Sequence, residues 1–248
     1  MDKALYVAMT GAKNNMLAQV AHANNLANVN TSGFKSDFAQ ARSMAVYYGD
    51  GHPTRVYAKT EVPATDFSHG SMMETGRDLD VAVERDGFIA VQSPDGGEAY
   101  TRVGSMFIDN VGILRTGSGL PVMGNGGPIA IPVSEKLEIA IDGTITSLPL
   151  GMGADGMVVV DRIKLVNPEL DTLYKSPDGL LRAVNPDEDI LADAGVSLVS
   201  GFLEGSNVNA VNELTSMLEL ARQYEMQVKI MQTAKEQSES SARLLQNS

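Results

Sequence analysis

Apolar side chains recur at a 4-3 spacing near the start of the chain, at Leu5, Met9, Ala12, Met16, Ala23 and Leu26, with only Gln19 polar in the series. That spacing predicts an amphipathic helix over residues 4–29 carrying a heptad seam. A second row at Leu17, Val20 and Ala27 widens the apolar face beyond what one partner helix needs. The rhythm returns from about Asn207 to Leu245, at Leu214, Met217, Ala221, Tyr224, Val228, Met231, Ala242 and Leu245, and is weakened where Lys235 and Ser238 interrupt it. Neither segment contains an internal proline. Amphipathic helices draw most of their stability from packing the apolar face, so these two are expected to pair.

Between them the period changes to two, with glycine punctuation. LDVAVERDGFIAVQ alternates Leu79, Val81 and Val83, turns at Asp86-Gly87 and resumes at Phe88 and Ala90, which predicts a hairpin. Further turn signals stand at PDGG (94–97), DNVG (109–112), GSG (117–119), GNGG (124–127) and IDG (141–143). Short strands at this spacing predict an antiparallel sandwich or barrel. The expected fold class is α+β: terminal helices paired as an antiparallel coiled-coil-like domain, a central antiparallel β-rich sandwich or barrel, and extended connectors. The boundaries follow the texture, with a helical domain at 1–34 and 206–248, connectors at 35–75 and 180–205, and the β domain at 76–179. Because Phe34 leaves one helix and Asn207 opens the other at the same β unit, the helices are expected to lie side by side.

Composition narrows the chemistry. The chain has 248 residues, 43% hydrophobic and 20% charged, enough to bury a core. Its 19 basic and 31 acidic residues give a net charge of −12, a field that repels phosphate backbones and anionic lipid, so no nucleic-acid partner is expected. No stretch has the length and apolarity of a transmembrane helix, and the opening MDKALYVAMTGAKNNM lacks the segments of a cleavable secretory signal. With no cysteine, disulfides and thiolate chemistry are excluded.

Candidate sites thin out under inspection. GMGADG (151–156) spells G-x-G-x-x-G, but the residues after it, MVVVDRIKLV, form a β-branched run rather than a helix, so a glycine-rich hairpin loop is the better reading. His22, His52 and His69 lack metal-ligand spacing, and Asp187, Glu188 and Asp189 lack the register of a calcium loop. No catalytic, cofactor or metal residue is predicted. What does need explaining is ANNLANVNTSGFK (23–35). Asn30, Thr31, Ser32 and Gly33 read as a helix ending with a left-handed cap. Asn24, Asn25 and Asn28 sit inside the predicted helix, where each is weaker than alanine by roughly half a kcal/mol. Their amides are expected to be satisfied against a neighbouring helix or backbone, fixing register.

Four stretches in fixed order carry a family resemblance: NNLANVNTSGFK, LDVAVERDGFIAVQ, AYTRVGSMFIDNVGILRTGSGLPVMGNGGPI and FLEGSNVNAVNELTSMLELARQYEMQVKIMQTA. Together they closely resemble the bacterial flagellar rod, hook and hook-associated family, and the opening and compact length look most like its proximal-rod branch. The resemblance implies a structural subunit, without catalysis or cofactor, that polymerises into the axial shaft of the basal body through its terminal helices. It also implies a rod spanning the periplasm, export without a cleavable signal peptide through the flagellar export apparatus, and other rod proteins as partners in a heterologous helical assembly. The alternatives are another axial protein of the family, of distal-rod or hook type, or an enzyme using the β domain. The assembly interface is expected at Leu5, Met9, Met16, Asn24, Asn25, Leu26, Asn28, Leu214, Met217, Leu218, Ala221, Tyr224, Val228 and Met231.

Overall fold

The computed structural model describes residues 2–38, 41–46, 55–60, 64–151, 156–185 and 190–246. His52, most of GMGADG (152–155) and the acidic run at 187–189 lie outside the described residues. The chain is α+β, with a helix at each end and a strand-rich centre. Its contacts divide it into two units, one formed by Met1–Val29, Ser36–Asp66 and Val208–Ser248, the other by Asn30–Lys35 and Phe67–Asn207.

The first unit holds helix α1 (Asp2–Ala27) and helix α2 (Ala210–Gln246). It also holds an antiparallel ribbon of Ala41–Val46 with Arg55–Thr60, and a short pairing of Asp37–Phe38 with Ala64–Thr65. Both helices have side-chain caps. Asn209 Oδ1 accepts the N–H groups of Val211 (3.1 Å) and Asn212 (3.3 Å) at the start of α2, meeting donors that have no partner inside the helix. At the other terminus type, the Asn28 amide donates to the Asn24 carbonyl at 2.9 Å, and α1 stops at Ala27. The helix therefore ends before the predicted cap, and Gly33 (φ 70°) takes its left-handed conformation in the segment beyond. The packed face of α1 also differs from the predicted seam. Ala8, Ala12 and Asn14 are buried while Leu5, Met9 and Met16 are exposed. The reason is size: a Cβ built on Gly11 would stand 2.9 Å from Gln227 Nε2, so α2 crosses α1 where α1 carries its smallest residues.

The second unit is built of short antiparallel pairings. Phe88–Gln92 and Glu98–Thr101 pair within a five-stranded sheet that also takes in Leu165–Val166, Leu181–Ala183 and Leu173–Lys175. Ser134–Ile139, Thr144–Pro149 and Val158–Arg162 form a three-stranded meander. The turns at 94–97, 109–112, 124–127 and 141–143 each join paired strands, as their glycine signals predict. The run after GMGADG is a strand, Val158–Arg162.

Asp86-Gly87 does not close the predicted hairpin. Val81–Val83 pairs with Leu198–Ser200, more than a hundred residues on, and Phe88–Gln92 pairs elsewhere. Phe88, Ile89, Ala90 and Val91 are all buried, because the strand is covered on both faces. Ile89 and Val91 join a core of Val81, Met106, Leu114, Val122, Ile129, Ile145, Ile163 and Leu198, while Phe88 and Ala90 join Tyr100, Val166, Leu173 and Leu181 on the opposite face. A half-buried hairpin would have left one face polar.

Close backbone approaches lock this unit. Val81 N–H donates to Gly104 O at 3.0 Å, and a Cβ on Gly104 would overlap the Val81 carbonyl. Gly104→Ala is expected to destabilise the protein by about 1–3 kcal/mol or more through this overpacking. The check is thermal denaturation of the full chain, and an unchanged midpoint would contradict the packing described.

Candidate assembly surface

Within the first unit, the asparagines of α1 do different jobs. Asn25 is 1% exposed, and its amide grips one residue of backbone at both ends: Nδ2 donates to Asp37 O at 2.9 Å and Oδ1 accepts from Asp37 N at 2.9 Å. A side-chain amide thus completes the pairing a strand would make, which offsets its weak helix propensity. Nδ2 also reaches Glu213 Oε1 at 3.3 Å, and His22 Nδ1 pairs with Glu213 Oε2. One carboxylate of α2 therefore meets two side chains of α1. Asn24 stays exposed, and Asn28 is the terminal cap described above.

The predicted interface residues divide by exposure. Leu26, Met217, Ala221, Val228 and Met231 are half-buried. Leu5, Met9, Met16, Leu214, Leu218 and Tyr224 are exposed, Met16 at 61% and Leu218 at 63%. Beside them stand apolar residues that the heptad reading did not place in the interface: Tyr6, Val7, Leu17 and Val20 on α1, and Val211, Met226 and Ile230 on α2. The signal was present for Leu17 and Val20 as the second row in the sequence. Single exposed apolar residues are ordinary, whereas large ones recur along both helices here.

Within the second unit a buried ion cluster ties together segments distant in sequence. Glu204 is 2% exposed. Its Oε1 accepts from Lys35 Nζ at 2.7 Å and from Gly70 N–H at 3.0 Å, and its Oε2 accepts from Arg102 Nη1 at 2.8 Å. Its backbone carbonyl accepts from Gly33 N–H at 2.8 Å. Arg102 also donates to Arg85 O at 2.6 Å and lies 5.4 Å from the centre of the Phe88 ring. Lys175 Nζ stands 4.0 Å over the Phe34 ring and donates to Lys35 O at 2.6 Å. Burial alone pushes the Glu204 carboxyl up. The Lys35 hydrogen bond, the Arg102 charge and the Gly70 N–H outweigh it and hold the group below the usual carboxylate range. A cleft of about 310 Å³ lies beside the cluster, lined by Phe67, Asp86, Phe88, Arg102, Asn167 and Leu170 among others. The Arg102 charge at its wall is already committed to Glu204.

A buried carboxylate held by internal partners, together with helices that expose large apolar residues, describes a structural protein better than a catalytic site. Comparison with known proteins gives the particular family. Three family profiles match in order along the chain: "Flagella basal body rod protein" over residues 5–35, "Flagellar hook protein FlgE/F/G D1 domain" over 82–160, and "Flagellar basal body rod FlgEFG protein C-terminal" over 199–244. The flagellar basal-body rod protein FlgF of Escherichia coli is 39% identical over 250 residues, covering 99% of both chains. FlgF of Salmonella typhimurium is 38% identical over the same length and coverage. The rod protein FlgG of Bacillus subtilis is 30% identical over 259 residues, covering 95% of this chain and 96% of the relative. The chain belongs to the flagellar basal-body rod family; it is a structural rod subunit of the basal body, not an enzyme, and resembles the proximal-rod member most.

The Glu204 cluster makes a pH prediction. Because the folded pKa lies below the unfolded one, about 4.3 for a glutamate, its stabilisation is present above that value and is lost as pH falls through the folded pKa. Glu204→Gln is expected to lower stability at neutral pH by about 3–5 kcal/mol, because two buried cations lose their carboxylate. It should also flatten the fall in melting temperature below about pH 4.3. Parallel acid dependences of wild type and variant would place the acid sensitivity elsewhere.

Proposed function

We propose that the chain polymerises into the axial shaft through its terminal helices, paired antiparallel in a coiled-coil-like domain, with the central unit as a β sandwich carried on that shaft. The observation that carries this reading is the outward display of Leu5, Met9, Met16, Leu17 and Val20 on α1 and of Leu214, Leu218 and Tyr224 on α2. Two sides of the helix pair remain apolar after the helices have packed, which suits a subunit with different neighbours on different faces. Heterologous contacts of that kind build open helical polymers when their rotation does not close a ring. Half-buried Leu26, Met217, Ala221, Val228 and Met231 form the seam, while Asn25 and Asn28 set its end and Asn24 faces outward. Other rod proteins are the neighbours, reached after export through the flagellar apparatus without a cleavable signal, in a rod spanning the periplasm. The similarity to FlgF along the whole chain supports the proximal position over a distal or hook-type one.

Antiparallel pairing is supported by two contacts. His22 and Asn25 meet Glu213 on α2, whereas Gly11, nearer the start of α1, faces Gln227, further along α2. Gly11→Cys with Gln227→Cys is expected to form a disulfide within one chain, free of background because the protein has no cysteine. Gly11→Cys with Leu214→Cys should stay reduced, since thirteen residues span about 20 Å along a helix. The reverse pattern would refute the hairpin of helices.

Assembly has its own test. Met16→Asp and Leu218→Asp place charges in surfaces that become buried on polymerisation, at a penalty of several kcal/mol per contact. Both variants are expected to remain folded as isolated chains by circular dichroism yet fail to restore swimming in a strain lacking the native protein. Normal motility in both would remove these rows from the assembly interface.

A further inference from the structure

Asn125-Gly126 is the only Asn-Gly step in the chain. It forms the two-residue tip of a ribbon in which Met123 pairs with Pro128 and Gly124 with Gly127. Both tip residues are exposed. The left-handed backbone that closes the turn belongs to Gly127 (φ 128°), and a Cβ built on Gly126 would meet nothing within 4 Å. The fold therefore does not require glycine at 126. What the missing side chain does provide is open access to the Gly126 nitrogen. Among the described residues neither the Gly126 N–H nor the Asn125 carboxamide has a hydrogen-bond partner.

From this geometry we propose that Asn125 is a site of spontaneous modification, converting through a succinimide to aspartate and isoaspartate. The deprotonated Gly126 nitrogen attacks Asn125 Cγ; the N–Cγ bond forms, the Cγ–Nδ2 bond breaks, and the nitrogen leaves as ammonia. Water then opens the five-membered ring at either carbonyl. Attack on one side yields aspartate in the original backbone. Attack on the other yields isoaspartate, with the backbone rerouted through the former side chain. No oxidant or reductant takes part, and water is the sole co-reactant. Five other asparagines are less open to this step, and none of the remaining ones is followed by glycine. Asn25 is buried with its amide engaged, Asn28 donates to Asn24 O, Asn207 to Ser68 O, and Asn167 and Asn185 precede proline, which has no nitrogen proton to lose.

The product changes the hairpin. Either outcome adds a negative charge four residues from buried Ile129, and next to Gly124, where a Cβ would stand 2.4 Å from the Asp161 carboxylate. Isoaspartate also inserts a methylene between Gly124 and Gly127, which disturbs their pairing.

The test is to hold the full-length protein in mildly alkaline buffer at body temperature and follow it by peptide mapping with fragmentation that separates isoaspartate from aspartate. The peptide containing Asn125 is expected to gain about 1 Da, as NH is exchanged for O, ahead of every other asparagine peptide. Gly126→Ala should fold with an unchanged melting temperature and slow the conversion roughly tenfold or more. Persistence of Asn125 while other asparagines convert, or equal rates in wild type and Gly126→Ala, would overturn the assignment.

Discussion

The Glu204 carboxylate is the point on which the second unit depends. It lies at 2% exposure with two cations and a backbone N–H on its oxygens, and these partners come from positions 35, 70 and 102. A buried ion cluster is a poor source of net stability, since desolvation takes back most of the Coulombic gain. Its strength lies in intolerance: omit one partner and a buried charge is left uncompensated. The cluster therefore selects one arrangement of four chain segments and penalises the others. The glycines beside it fit that role. Gly33 donates its N–H to the Glu204 carbonyl, and a Cβ on Gly70 would overlap the Gly205 carbonyl, so the segments approach as closely as bare backbone allows. The NTSGFK stretch is thus part of the β unit's lock: Phe34 lies under Lys175, Lys35 reaches Glu204, and Asn207 N–H meets Phe34 O at 3.4 Å.

The helical unit follows the opposite rule. Its polar locks are few and local: Asn25 on Asp37, Glu213 under His22 and Asn25, and Asn209 at the start of α2. They fix the ends and the register. Along the first half of α1, small residues face inward and large ones outward, as Ala8, Gly11 and Ala12 against Met9, Met16 and Val20 illustrate. A monomer would gain by the reverse arrangement, because burying a large side chain contributes more than burying alanine. With Met9, Met16 and Val20 outside, their hydrophobic free energy is left unrealised in the isolated chain.

Much of this was legible in the sequence, and the misses share a cause. The two helices, their glycine-marked turns and the β-branched strand after GMGADG follow from local periodicity, which acts over a few residues. The Asp86-Gly87 hairpin failed because local alternation does not reveal whether a strand is covered on one face or two; Val81–Val83 found its partner at Leu198–Ser200. The heptad seam placed Ala12 correctly but put Leu5, Met9 and Met16 beside it on the packed face, whereas close approach of backbones favoured Ala8. The Glu204 cluster left no sequence signal, since Lys35, Arg102 and Glu204 are single charges more than sixty residues apart. Of the asparagines, the sequence supplied the question and the general answer of amide satisfaction; which one turned inward was decided by where Asp37 passes α1.

These two rules suit a structural subunit of the rod. The buried Glu204 charge is completed within its own unit by Lys35, Arg102 and the Gly70 N–H, and Arg102 also meets Arg85 O and the Phe88 ring. Large exposed apolar residues recur along the helices and also stand in the strand-rich unit, as at Val111 and Val133. Apolar contact is non-directional and scales with area, so it does not by itself fix one partner. Polar locks in such a surface would have demanded one partner at one register. Confining them within each unit lets each unit hold its own fold without prescribing what its exposed apolar residues meet.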